Sequence, residues 1–135
     1  MKSIFLFASL IIGSSIATNF HFQAKLICNL DDTYNYSVTH WDHDYLSPDD
    51  PLDTPRIGEA NGDVIVFSEG YQVGDGPFSA NYDVYAHIKH NCTGNGEEKE
   101  LRIKLGKIHD SLSDATLKYE VVLHKIIDFN VIKND

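Results

Sequence analysis

The sequence predicts an all-β domain, folded as an antiparallel β-sandwich of about seven short strands. Apolar and polar residues alternate over short segments rich in β-branched and aromatic side chains, which is typical of half-buried strands. Turn-forming residues separate these segments, and the long helical connections that parallel strands require are lacking. Both observations favour two packed antiparallel sheets.

The first residues predict a secretory signal peptide. Lys2 precedes an apolar run over residues 4–12, and small residues follow as far as Ala17. The run is shorter than the roughly 20 residues that cross a bilayer, and Ser15 and Ala17 suit a signal-peptidase site. We therefore predict a leader over residues 1–17 and a secreted, extracellular domain over residues 18–135, with an uncleaved membrane anchor as the alternative. The remaining 118 residues (135 − 17) fit one domain with a real core.

The N-terminal half of this domain contains two alternating segments, residues 20–29 and 34–40, and both are predicted strands. Residues 43–58 hold three of the four prolines and are predicted to be irregular. Asn61-Gly62 then predicts a turn that joins two antiparallel strands, the second of which covers residues 64–67.

The C-terminal half contains three more alternating segments, at residues 82–89, 101–105 and 119–125. A Gly- and Asn-containing turn at residues 93–96 separates the first two. A short helix is predicted only over residues 110–118, where Ser111 or Ser113 can serve as the N-cap.

The charge balance excludes one class of partner. The leader removes one Lys, so the mature chain has 10 basic (11 − 1) and 20 acidic side chains, a net charge of −10. Such a surface repels phosphate backbones, and we expect no nucleic-acid binding. No other stretch is apolar enough to span a membrane, so no transmembrane segment is predicted.

Cys28 and Cys92 are the only cysteines and are predicted to form a disulfide, because secretion supplies an oxidising compartment. Two sequons, Asn35-Tyr36-Ser37 and Asn91-Cys92-Thr93, are candidate glycosylation sites. We favour Asn35, because the middle residue of the second sequon is a cysteine that must also pair.

Five short motifs occur in an order that resembles the transthyretin-like family of nematode secreted proteins. They are Ala24-Lys25-Leu26-Ile27-Cys28, the acidic residues at 42–44 and 49–50, Asn61-Gly62 running to Gly70, His90-Asn91-Cys92, and Tyr119-Glu120-Val121-Val122. Ala24 replaces the usual Gly, and Lys104-Leu105 stands where Ile-Pro is expected, so the chain resembles a divergent member. The resemblance implies a transthyretin-like (prealbumin-like) β-sandwich that works outside the cell.

The acidic segment is a candidate metal site. Asp42, Asp44, Asp49, Asp50 and Asp53 place five carboxylates within a dozen residues. Hard oxygen ligands on an irregular backbone suit Ca²⁺, although the Gly and terminal Glu of an EF-hand loop are missing. The alternative is a solvated acidic loop with no cofactor, whose Asp side chains cap turns.

No catalytic motif is evident, and we predict that the protein is not an enzyme. His40 and His43, and likewise His87 and His90, are three residues apart, a spacing that points to opposite faces of a strand and disfavours chelation. The chain ends at Asp135 without the Tyr-Arg-Gly-Ser signature of the hydrolase that shares the transthyretin fold.

These observations predict a secreted, non-catalytic protein that recognises a protein or cell-surface partner through loops. Trp41 and Tyr45 flank the first Asp residues and are the predicted partner contacts, because Tyr and Trp are common at interfaces. The alternatives are a carrier of a small hydrophobic ligand at a subunit interface and a hydrolase on the transthyretin fold.

Overall fold

The computed structural model describes residues 17–74, 81–124 and 129–132, the last of these by their backbone alone. The described residues form nine strands, and the elements are β1 (Ala17–Ile27), β2 (Thr33–Asp42), β3 (Asp50–Pro51), β4 (Arg56–Asn61), β5 (Val64–Val73), β6 (Asn81–His90), β7 (Lys99–His109), β8 (Asp114–Val122) and β9 (Phe129–Ile132). The predicted leader lies outside the described residues except for Ala17, which begins β1 opposite Val73. Within those residues, no helix has the length and apolar character needed to cross a bilayer.

The strands form two sheets. Sheet A has the order β5-β1-β8-β9, and sheet B has the order β3-β2-β6-β7 with β4 also paired to β2. The β1–β8 pair is parallel, and the other pairings among the described residues are antiparallel. The predicted all-β sandwich is therefore confirmed.

The core lies between the two sheets and follows the alternation of the strands. Phe20 and Leu26 of β1 are 0% exposed, as is Ile88 of β6 in the opposite sheet. Complete burial of one such side chain contributes roughly 1.5–3 kcal/mol.

One disulfide joins the two sheets. Cys28 directly follows β1 of sheet A, and Cys92 lies two residues beyond β6 of sheet B, with Cα atoms 6.2 Å apart. The predicted bridge is thus confirmed. It closes a loop with a sequence separation of 64 residues, for which chain entropy predicts roughly 4 kcal/mol of stabilisation.

Three local predictions were wrong. Residues 43–58, predicted to be irregular, contain β3 and the start of β4, which pair with opposite ends of β2. Pro51 is tolerated there because β3 lies at the edge of sheet B. Asn61-Gly62 does turn the chain, with Gly62 at φ 79°, but the flanking strands pair with β2 and β1 in different sheets rather than with each other.

The predicted helix at residues 110–118 is the third correction. β7 ends at His109 and β8 begins at Asp114. Ala115, Leu117, Tyr119 and Val121 are buried at every second position, and this period of two fits a strand beside β1 and not a helix. The turn predicted at residues 93–96 is present, with the Gly96 N–H donating to the Thr93 carbonyl at 3.2 Å.

His90 lies in the core beside the disulfide and is only 1% exposed. Its Nδ1 accepts a hydrogen bond from the Cys92 N–H at 3.1 Å, which leaves the proton on Nε2. Burial, together with the charge of Lys99, lowers the pKa of His90 below its ordinary 6.5. The folded protein therefore holds this ring neutral.

We predict that the free energy of unfolding falls as the pH drops below about 6.5, because the unfolded chain then binds a proton that folded His90 resists. This contribution is fully present above that pH. Urea unfolding between pH 5 and pH 8 measures it. His90→Asn should flatten the dependence, since an Asn side chain can still accept the Cys92 N–H but does not titrate.

His109→Asn is the matched control for this experiment. The Nδ1 of His109 also accepts a backbone N–H from two residues on, that of Ser111 at 3.1 Å, but its side chain is 56% exposed. The control should keep the pH dependence of the wild type. Equal flattening in both variants would contradict the assignment to His90.

Candidate functional site

The outer face of sheet B carries two rows of side chains set by the strand register. Trp41 of β2 lies opposite Tyr85 of β6, which lies opposite Lys104 of β7. In the next row His87 lies opposite Arg102. These residues point away from the core because successive side chains of a strand alternate between faces.

A β-bulge adjusts these rows. The β6–β7 register shifts between Val84 and Tyr85, so that Val84 faces Gly106 while Tyr85 faces Lys104. Gly106 has a φ of 126°, a conformation that favours glycine. Bulges redirect side chains near sites, and this one lies immediately beside the Tyr85 row.

Arg102 stacks on Tyr85. Its guanidinium carbon lies 3.8 Å from the centre of the Tyr85 ring, and Tyr85 is only 8% exposed beneath it. A cation–π contact of this kind contributes about 0.5–2 kcal/mol. The pair forms a fixed platform on the sheet.

Asp49, on the loop before β3, holds one end of this platform. It accepts hydrogen bonds from the Tyr85 hydroxyl at 2.5 Å and the Asp44 N–H at 3.1 Å, and it contacts His43 Nδ1 at 2.9 Å. Burial acts to raise the pKa of Asp49, but these hydrogen bonds outweigh it and lower the pKa below its usual value. Burial, and next the hydrogen bond to Asp49, raise the pKa of Tyr85 to about 12.

Glu100 forms the opposite end. Its carboxylate contacts His87 Nε2 at 3.2 Å and Lys89 Nζ at 3.5 Å. The hydrogen bond from His87, followed by the charge of Lys89, lowers the pKa of Glu100. Asp49 and Glu100 are thus both ionised at neutral pH.

Between the two ends lies an open cavity of about 600 Å³, which we call the sheet-B groove. It combines aromatic surface with charged side chains that are already paired with one another. Its lining residues are Trp41, Asp49, Tyr85, His87, Glu100, Leu101 and Arg102.

The five aspartates predicted to bind Ca²⁺ separate into three environments. Carboxylate oxygens of Asp42, Asp44 and Asp50 lie within 4.8 Å of one another. Asp49 turns instead into the sheet-B groove, and Asp53 turns into the core. The structure therefore brings together three of the five residues, and for those three Ca²⁺ binding stays a prediction.

Asp53 belongs to a buried network that the sequence analysis missed. Its carboxylate accepts the His40 N–H at 2.7 Å, contacts His40 Nδ1 at 2.6 Å and accepts the Ser68 hydroxyl proton. His40 Nε2 lies 2.7 Å from the Tyr119 hydroxyl. One neutral tautomer, protonated on Nδ1, satisfies both ring contacts. Burial, and next the charge of Asp53, raise the pKa of Tyr119, which keeps its hydroxyl a donor.

This network lacks the geometry of a Ser-His-Asp triad. Ser68 donates to Asp53 rather than to His40, whereas the nucleophile of a triad bonds to the histidine. The His40 and Asp53 side chains are 1% and 0% exposed. The signal for the network was a histidine on the inward face of an alternating strand, but nothing in the sequence named its partners.

The predicted partner contacts lie at one end of sheet B. Trp41 lines the sheet-B groove, and Tyr45 is 80% exposed. The Tyr45 hydroxyl donates to Asp83 at 3.2 Å, and its ring meets that of His43 edge-on at 4.7 Å between centroids. Both residues are placed where a ligand could reach them.

We predict that Ca²⁺ raises the melting temperature of the oxidised protein relative to excess chelator, because a cation would relieve repulsion among Asp42, Asp44 and Asp50. Differential scanning fluorimetry measures this shift. Asp44→Asn and Asp50→Asn should each reduce it, whereas Asp63→Asn, outside the cluster, should not. An identical melting temperature with Ca²⁺ and with chelator would leave these residues as an acidic loop.

Comparison with known proteins adds little to this geometry. No protein-family model and no solved structure matches the chain. Over 122 residues the chain is 24% identical to Protein lin-61 of Caenorhabditis elegans, an alignment that covers 88% of this chain. The chain spans only 19% of the length of that protein, and an identity this low assigns no family.

Proposed function

We propose that the protein is a secreted, non-catalytic binding module of the transthyretin-like family, and that it recognises a cell-surface or extracellular partner through the sheet-B groove and the loop that precedes β3. The observation that carries the proposal is the groove itself. It is open to solvent, and Asp49, Tyr85 and Arg102 are held in place by contacts with one another. Preorganised side chains lose little entropy when a partner binds.

The composition of the groove supports a binding role. Trp41, Tyr85 and Arg102 are among its lining residues, and these three residue types dominate the energetics of protein recognition sites. Its volume of about 600 Å³ falls in the usual range for ligand sites. The extracellular location rests on the predicted leader, and the family assignment rests on the order of the motifs.

The chemistry of the groove favours binding over catalysis. Among the described residues that line it, none is Ser, Thr or Cys. Asp49 and Glu100 have lowered pKa values, and Tyr85 has a raised one. None of these three is therefore tuned towards neutral pH, as an efficient general acid or base is. The histidine that lines the groove, His87, is already paired with Glu100 at 3.2 Å.

An exposed apolar stripe on sheet A favours the second candidate function, a carrier of a small hydrophobic ligand. Ile65, Phe67, Tyr71 and Val73 of the edge strand β5 are between 43% and 68% exposed. A carrier that holds a hydrophobic ligand between subunits would bury such a stripe in a dimer or tetramer. Light scattering discriminates the two functions, because a monomer at micromolar concentration removes the inter-subunit site.

We predict that the secreted protein carries an N-glycan at Asn35 and none at Asn91. Asn35 is exposed, whereas the Asn91 side chain accepts the Asn35 N–H at 2.7 Å and precedes the bridged Cys92. Mass spectrometry before and after enzymatic deglycosylation tests this. Asn35→Gln should abolish the mass change and Asn91→Gln should preserve it; the reverse pattern would contradict the prediction.

We predict that the labelled mature protein binds intact cells of its source organism, and that Arg102→Ala reduces this binding about tenfold by removing the stack on Tyr85 and the contact with Asp49. Flow cytometry measures retention. Arg56→Ala on β4 is the matched control, because Arg56 is exposed and does not line the groove. Equal binding by the wild type and the Arg102 variant would contradict the proposed site.

A further inference from the structure

We propose that the sheet-B groove binds a neutral carbohydrate, with Trp41 as the stacking platform and Glu100 and Arg102 as the groups that bind its hydroxyls. This inference rests on the proposed function, since it specifies the chemistry of the same site. Three features support it: the paired charges of the groove, the hydrogen-bonding capacity that Glu100 and Arg102 still have, and the absence of a stacking partner on the Trp41 ring among the described residues.

The charges of the groove are balanced by internal pairs. Arg102 Nη2 lies 3.6 Å from Asp49 Oδ2, and Lys89 Nζ lies 3.5 Å from Glu100 Oε1. A charged ligand would have to compete with one of these pairs. A neutral ligand can bind without separating either of them. The net charge of −9 on the whole chain further disfavours sulfated or acidic glycans.

Asp49 and Glu100 differ in the acceptor capacity that remains. A carboxylate offers about four lone-pair positions. Asp49 already contacts the Tyr85 hydroxyl, the Asp44 N–H, the His43 ring and Arg102. Among the described residues, Glu100 contacts His87 and Lys89 alone, and its side chain is 58% exposed. Glu100 is therefore the acceptor that can still bind a ligand.

Arg102 supplies donors close to that acceptor. A guanidinium has five N–H donors, and within the described part of the chain the polar contacts of Arg102 involve Nη2 alone, towards Asp49 and His43. Its side chain is 53% exposed. A sugar hydroxyl both donates and accepts, so two neighbouring hydroxyls can donate to Glu100 and accept from Arg102. This pairing is a common requirement for binding a vicinal diol.

Trp41 supplies the apolar part of the site. It lies beside Tyr85 in the strand register, and Arg102 covers Tyr85 rather than Trp41. Among the described residues, no aromatic ring or cation stacks on the indole. A pyranose ring has an apolar face of C–H groups that packs on such a surface, while its hydroxyls project sideways towards polar groups.

The single tryptophan of the chain provides a direct readout, since Trp41 is the only one. We would titrate the oxidised mature protein with chitotetraose, mannotetraose and lactose, and with a heparin tetrasaccharide as the anionic comparison. We expect a saturable change in fluorescence with at least one neutral sugar and none with heparin. Saturation by heparin alone, or by none of the four, would overturn the inference.

Variants assign the effect to the groove. Glu100→Gln and Arg102→Lys keep the size of each side chain but remove an acceptor charge and a forked donor respectively, and each should weaken sugar binding about tenfold. Arg56→Gln is the control and should bind as the wild type does. Unchanged binding in both groove variants would overturn the inference.

Cell binding separates the two proposals. If endoglycosidase treatment of the cells leaves binding intact while Arg102→Ala still abolishes it, the groove binds a protein, and the carbohydrate inference fails while the proposed function stands. If neither the endoglycosidase treatment nor the Arg102→Ala substitution changes binding, the proposed function fails as well. Loss of binding in both experiments supports both proposals.

Discussion

The rest of the structure depends on the buried carboxylate of Asp53. A carboxyl group in a protein interior is strongly unfavourable unless hydrogen-bond partners surround it, and here the partners come from both sheets. His40 of sheet B provides two contacts and Ser68 of sheet A provides a third. His40 then reaches Tyr119 across the core and stacks on Phe22, with 3.7 Å between ring centroids. The sheets must therefore pack in one relative position for the hydrogen bonds of this carboxyl group to form.

The same constraint shapes the sheet-B groove. The segment that leaves β2 is tied at its start, where the Asp83 N–H donates to Asp42 at 2.8 Å and the His43 N–H donates to the Asp83 carbonyl at 2.9 Å. It is tied again at its end by Asp53. Asp49 lies between these two anchors, which restrict the path of the segment and place its carboxylate beside the Tyr85 hydroxyl. This side of the groove is thus held in place by contacts within the fold, which would reduce the entropy lost by the proposed binding.

Sequence patterns predicted the strands that show local alternation. They missed the strand pairings and side-chain contacts between residues that are distant in the sequence. Period-two segments located β1, β2 and β6, and the count of cysteines predicted the bridge. At β8 a local helix-capping signal from Ser111 or Ser113 was outweighed by pairing with β1, a strand about 90 residues earlier in the chain. Likewise, no pattern could pair His40 with Asp53, because their contact requires the intervening segment to fold back on β2. The stack of Arg102 on Tyr85 depends on a bulge that has no sequence signature stronger than one glycine.

The segment that carries Asp53 also closes the sandwich on one side. Leu52 donates its N–H to the His40 carbonyl at 2.8 Å, and Asp53 forms a bridge with Gly70 of the edge strand β5. A Cβ at Gly70 would lie 1.6 Å from the Leu52 carbonyl oxygen, so only glycine permits this approach. Covering an edge in this way limits strand-to-strand aggregation. Asp49 and Asp53 lie on the same short stretch of chain, which both bridges the edge strand β5 and lines the groove, so the stability of the fold and the shape of the groove are physically coupled there.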